Sequence, residues 1–145
     1  MHNRLFFAIP LAAILGALSL LHVYWALGGR WASAYTVPTI SGRRMFDPTP
    51  LATWVVAALL AMAVVLVVGK AGWIETGPLP LMFDVGVWGL SLVFLLRAVG
   101  NLRSFGFFKT VKGTPFAQWD TLLYSPLCML LALLAAGLAG LPQER

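Results

Sequence analysis

"LATWVVAALLAMAVVLVVGKAGWIETGPL", residues 51–79, holds the pattern that decides the fold. From Leu51 to Val68 no side chain is charged, and apolar residues follow one another without the period-two alternation of a barrel strand. A hydrocarbon core about 30 Å thick takes about 20 apolar residues as a helix. Only a helix or a closed barrel satisfies its own backbone there. Gly69 and Lys70 end the run, and a short Gly/Pro turn reaches Leu79 before the next apolar run. The stretch reads as a membrane span and a tight return, so the spans on either side form an antiparallel pair.

Working outward, three more stretches qualify: Leu5 to Leu27, Pro80 to Val99 and Phe116 to Leu141. The whole chain agrees, with 60% hydrophobic and 10% charged residues among 145 and a mean hydropathy of +0.87. A soluble domain carries about a quarter charged residues. The expected fold is all-α, an integral membrane four-helix bundle formed by residues 1–145 as a single domain. The start, "MHNRLFFAIPLAAILGALSL", has the basic head and apolar centre of a signal peptide. Its apolar run is too long for one and no small-x-small site follows, so it reads as the first span. There is no internal repeat. Cys128 is the single cysteine, which excludes an intramolecular disulfide and a Cys-x-x-Cys pair.

The net charge of +5 lies between the apolar runs, which points to topology and lipid headgroups and away from nucleic acid. Four spans place the long connections, Gly28 to Pro50 and Gly100 to Pro115, on one side. That side holds Arg30, Arg43, Arg44, Arg97, Arg103, Lys109 and Lys112, against Arg4, Lys70 and Arg145 on the other. The positive-inside rule then puts both termini outside and both long loops in the cytoplasm, across a cell membrane. The third loop, "GNLRSFGFFKTVKG" (100–113), interleaves aromatics with bases, as a segment in the headgroup layer does. Thr114 and Pro115 fit an N-cap and first helical residue. Pro126 removes the backbone partner of Leu122 within the fourth span, so a kink is expected.

Three ionisable residues share one depth. His22 lies about five residues, hence about 7 Å, inside the end of span one. Arg97 is near the end of span three, and Asp120 is near the start of span four. Such groups cost about 2.5 to 3.5 kcal/mol at the bilayer centre, and pointing them into the bundle as a pair costs least. The expectation is an Arg97–Asp120 ion pair with His22 alongside. Trp25 shares a helical face with His22, and Asp120, Tyr124 and Cys128 fall four apart on span four. Tyr24, Trp25, Trp119 and Tyr124 would enclose the polar group, giving apolar walls with a few polar contacts. Each residue has a plainer reading. Trp25, Trp54 and Trp119 suit an aromatic belt, Arg97 a snorkelling base, and His22 a hydrogen-bonded packing residue. Asp120 is the hardest to explain so, because acids contribute little to topology. Asp84, near the start of span three, suits the positive end of a helix dipole. Gly86, Gly89, Ala57, Ala61 and Gly137 suit close helix approach.

One intramembrane histidine argues against a bis-histidine haem. No zinc or di-iron ligand spacing, GxSxG, P-loop, dinucleotide motif or channel filter is present. No cofactor and no metal is expected.

The motifs "LHVYWALGG" (21–29), "LRAVGNLRSFGFFK" (96–109) and "TPFAQWDTLLYSPLCMLLA" (114–132) resemble a bacterial family of small four-span membrane proteins catalogued as domain of unknown function 3995. The resemblance covers nearly the whole chain. It implies an integral membrane protein with His22, Trp25, Arg97, Asp120 and Pro126 as pattern positions, and it carries no activity over. The residues favour binding of a small amphipathic or lipid-like molecule by His22, Trp25, Arg97, Asp120 and Tyr124 at the cytoplasmic ends of spans one, three and four. Arg97 would hold an anionic or polar head, while Asp120 fixes Arg97 or takes a proton. Two alternatives stand beside this. One is a membrane enzyme, faintly like sterol isomerases, using His22 and Asp120 for acid–base chemistry. The other is an accessory subunit packed on a membrane protein partner or a second copy of the chain. Membrane lipids are expected partners in every case.

Overall fold

The computed structural model describes residues 2–40 and 43–142. Arg145, counted above among the bases, lies outside the described residues. Helices α1 (His2–Ala26), α2 (Pro50–Ala71) and α3 (Pro80–Val99) are the first three spans. The fourth span, Pro115–Ala139, is built from α4 (Pro115–Trp119), a π turn (Asp120–Tyr124) and α5 (Ser125–Ala139). All four are long and apolar enough to cross a membrane, and the chain is a multi-pass membrane protein. α1 packs chiefly on α2 and α3 on α5, while α2·α3 and α1·α5 contacts close the ring. Two ends result, one with the chain termini and the short turn, the other with the two long loops.

The span ends differ from the sequence reading for identifiable reasons. α1 begins at His2, ahead of Leu5, because the Arg4 side chain folds back and donates to the Pro142 carbonyl. α2 continues past Val68 to Ala71 because Lys70 is buried and bonded. Gly72 then stops it in the left-handed region at φ 82°. Thr49 and Thr114 cap α2 and α4, accepting from Ala52 and Ala117 N–H at 3.2 and 3.1 Å. The irregularity expected at Pro126 takes the form of the π turn, with Ser125 N–H reaching back to the Asp120 carbonyl. Pro126, which has no N–H to give, follows this turn directly at the start of α5. The first long loop carries a 3-10 turn at Ser33–Tyr35. A two-residue antiparallel ladder, Thr39 with Arg44 and Ile40 with Arg43, follows it.

The core is apolar and tightly spaced. Ala8, Leu11 and Leu15 of α1, Val67 of α2, Val87 of α3 and Leu131, Ala135 and Leu138 of α5 are fully buried. Their three- and four-residue steps keep one stripe of each helix inward. Ser19 donates to the Ala57 carbonyl and Ser91 to Ala132, both at 2.9 Å, tying the two main helix pairs. Gly137 seats the Phe7 ring and Gly86 lies against Leu66, where a methyl would collide. Gly89 and Ala61 face outward and take no part in such contacts. Phe6, Leu20, Leu51, Leu81 and Leu122 are more than 70% exposed, as the lipid-facing surface requires.

Candidate functional site

At the loop end Asp120 is fully buried where α4 meets the π turn. Its Oδ1 accepts from Arg97 Nη2 at 2.9 Å. Its Oδ2 accepts from the Gly106 backbone N–H at 2.8 Å and from Lys109 Nζ at 3.0 Å. The expected Arg97–Asp120 pair is therefore present. Lys109 is the part that the sequence reading missed. Its ammonium also donates to the Gly106 carbonyl at 3.1 Å and to Thr121 Oγ1 at 2.6 Å, so all three N–H bonds are directed.

The third loop is built to deliver these groups. Asn101 Oδ1 accepts from the backbone N–H of Arg103, Ser104 and Phe105. Phe107 N–H returns to the Ala98 carbonyl at 2.8 Å. Gly100 and Gly106, at φ 83° and 92°, touch backbone to backbone, and a Cβ on either would collide with the other's segment. The loop is thus a compact fold pinned on Asp120. The expectation that its bases all face phosphate is corrected for Lys109, which points inward because a buried carboxylate must be neutralised by ion pairs. The signal was the glycine three residues before the lysine, a position that needs positive φ.

Arg97 has a second relationship. Its Cζ lies 4.8 Å from the Phe105 ring centroid. Its Nη1 is buried and, among the described residues, has no hydrogen-bond partner. The same side chain lines a cavity of about 730 Å³ together with His22 and Trp25 of α1, Thr36 and Arg44 of the first loop, and Thr53 of α2. Val37 and Val56 add apolar wall. His22 Nδ1 lies 2.7 Å from the Leu18 carbonyl, which can only accept, so Nδ1 carries a proton, and in the neutral ring Nε2 is then the acceptor. Trp25 packs edge-on against His22 at 5.1 Å and donates Nε1–H to the Trp31 carbonyl. Arg44 pairs with Asp47 at 3.6 Å in an exposed position, an arrangement that contributes little.

The five residues expected at one site therefore divide. His22, Trp25 and Arg97 share the cavity. Asp120 stands behind Arg97, and His22 bonds its own helix and neither member of the ion pair. Tyr124 does not line the cavity: its hydroxyl donates to the Tyr35 carbonyl at 3.3 Å, and its ring leans on Phe116. Trp119 leans on the Tyr35 ring, and Tyr24 is exposed against Gly29. These rings fasten the first loop and do not enclose the polar cluster. The contact that holds the Tyr124 hydroxyl comes from the first loop, 89 residues away in sequence, which helix spacing does not show. Among the described residues no group of three His, Cys, Asp or Glu side chains is placed to hold a metal ion.

At the opposite end Lys70, 2% exposed, donates to Asp84 at 2.6 Å and to the Leu141 carbonyl at 2.9 Å. The dipole reading of Asp84 gives way to this ion pair, because a buried ammonium requires a counter-charge.

No curated protein and no solved structure matches the chain. The family model described as "Protein of unknown function (DUF3995)" matches residues 15–135, a stretch that contains Asp120, both its cations and every residue lining the cavity. The chain belongs to that family.

Proposed function

We propose that this membrane protein binds a small anionic amphiphile in the cavity between the end of α1, the first loop, the start of α2 and Arg97. The observation that carries the reading is the divided guanidinium of Arg97. One arm is fixed by Asp120, and the other is buried without a partner on a residue that lines the cavity. A buried donor left unmade costs about 1–3 kcal/mol, and an anionic head would remove that cost. Charge supports the same direction. Asp120 brings one negative charge to two cations, Arg97 and Lys109, so the cluster keeps one positive charge in excess.

In this reading Asp120 positions Arg97 and takes no proton. Arg97 holds the head, and Trp25 packs the apolar part in place of Tyr124. We place the loop end in the cytoplasm of a bacterial cell. Arg30, Arg43, Arg44, Arg103 and Lys112 lie there outside the Asp120 cluster, whereas Arg4 and Lys70 at the other end are tied to Pro142, Asp84 and Leu141. Native mass spectrometry of the gently purified chain tests the proposal against Thr53→Trp, which fills the cavity without touching the ion cluster. A small anionic molecule carried by the wild type and absent from Thr53→Trp is expected. Equal occupancy of the two would refute it.

One observation favours a second reading, acid–base chemistry on such a ligand: the His22 tautomer leaves Nε2 as an acceptor on a cavity-lining side chain. His22→Gln should then abolish turnover of the bound molecule while leaving its retention intact.

A further inference from the structure

The Asp120 cluster has a second open flank. Whereas Arg97 borders the cavity, Lys109 borders a groove of about 440 Å³ between the third loop and the start of the fourth span. Lys112, Gln118 and Thr121 supply its polar wall, and Phe107 and Leu122 its apolar one. Among the described residues no carboxylate lines it. Lys112 is exposed and, among the described residues, forms no ion pair. Lys109 beneath it has its three N–H bonds directed elsewhere, so it contributes field and not contact. Leu122 is 77% exposed and Phe107 43%, so the groove opens onto the lipid-facing surface.

We infer that this groove seats the headgroup phosphate of an anionic membrane phospholipid, with Lys112 on the phosphate, Gln118 beside it, and Leu122 and Phe107 against the first part of the acyl chains. Three features decide the occupant. The site lies where the chain enters the membrane at Pro115, which is headgroup depth. Its charge is positive and unopposed within the groove. Its apolar lip is continuous with the lipid-facing helix surface, which suits a molecule that has chains as well as a phosphate. This site is separate from the cavity of the proposed function and does not depend on it.

The test uses the full chain bearing Thr53→Trp, so that the cavity is closed, reconstituted in nanodiscs of phosphatidylcholine containing one-tenth phosphatidylglycerol and released for native mass spectrometry. Retained phosphatidylglycerol is expected well above its bulk proportion. A surface cation contributes roughly fivefold to anionic lipid affinity, so Lys112→Ala should lower the excess about fivefold. Gln118→Glu, which adds a negative charge at an exposed position, should lower it at least as much. Millimolar inorganic phosphate should leave the lipid in place. Retention unchanged by both substitutions, retention at the bulk ratio, or displacement by inorganic phosphate would each overturn the assignment.

Discussion

The two ends of this bundle hold the same chemistry in opposite states. At the terminal end Lys70 and Asp84 pair one to one, and a second ammonium N–H goes to the Leu141 carbonyl. Arg4 closes on Pro142 beside them. At the loop end one carboxylate serves two cations, and one guanidinium arm is left over on a residue that lines a cavity. A closed cluster ties helix ends together. In the function proposed above, a cluster with an unmet donor and an excess charge also prepares a place for an anion.

That contrast can be broken in stages. Asp120→Ala would leave Arg97 and Lys109 without a counter-charge and the Gly106 N–H without an acceptor. A cost of about 3–5 kcal/mol is expected, read by thermal unfolding in mild detergent and by proteolysis within the third loop. Gly106→Ala attacks the same cluster through the backbone, at φ 92° and against Gly100. It should cost about 1–3 kcal/mol. Lys70→Met opens the terminal end. Asp84 is 36% exposed and can reach water, so the loss should be about 1–2 kcal/mol with ligand retention unchanged. A larger loss from Lys70→Met than from Asp120→Ala would invert the comparison. Tyr124→Phe removes only a 3.3 Å hydrogen bond to the first loop. It should cost under about 1 kcal/mol and leave the occupant of the cavity in place; loss of that occupant would return Tyr124 to the site.

The fold was legible because hydropathy over 20-residue runs is the strongest signal a membrane imposes, and the turn from Gly69 to Leu79 set the antiparallel order. The Arg97–Asp120 pair was legible for a related reason: an acid at membrane depth must find a cation, and the helix directions left one at its depth. Lys109 and Lys70 were hidden because a base beside a span end reads as topology, and only three-dimensional folding shows that each turns inward to a carboxylate. That Tyr124 lies off the cavity wall was not legible, because its hydroxyl is held by the Tyr35 carbonyl of the first loop, a long-range contact that helix spacing does not encode. The cavity was invisible for a different reason. Half its wall comes from the first loop, whose 3-10 turn and short ladder leave no periodic trace in the sequence.

The central claim is that the free arm of Arg97 receives an anion. The most direct measurement is calorimetric binding of dodecyl phosphate in dodecyl maltoside micelles to the chain with Arg97 and with Arg97→Lys, both carrying Lys112→Ala so that the groove does not contribute. A lysine keeps the charge but cannot span Asp120 and a second acceptor as a planar fork does. One equivalent bound with Arg97, and affinity at least about tenfold weaker with Arg97→Lys, is the expected result. Equal affinity in the two chains, or no binding to either, would contradict it.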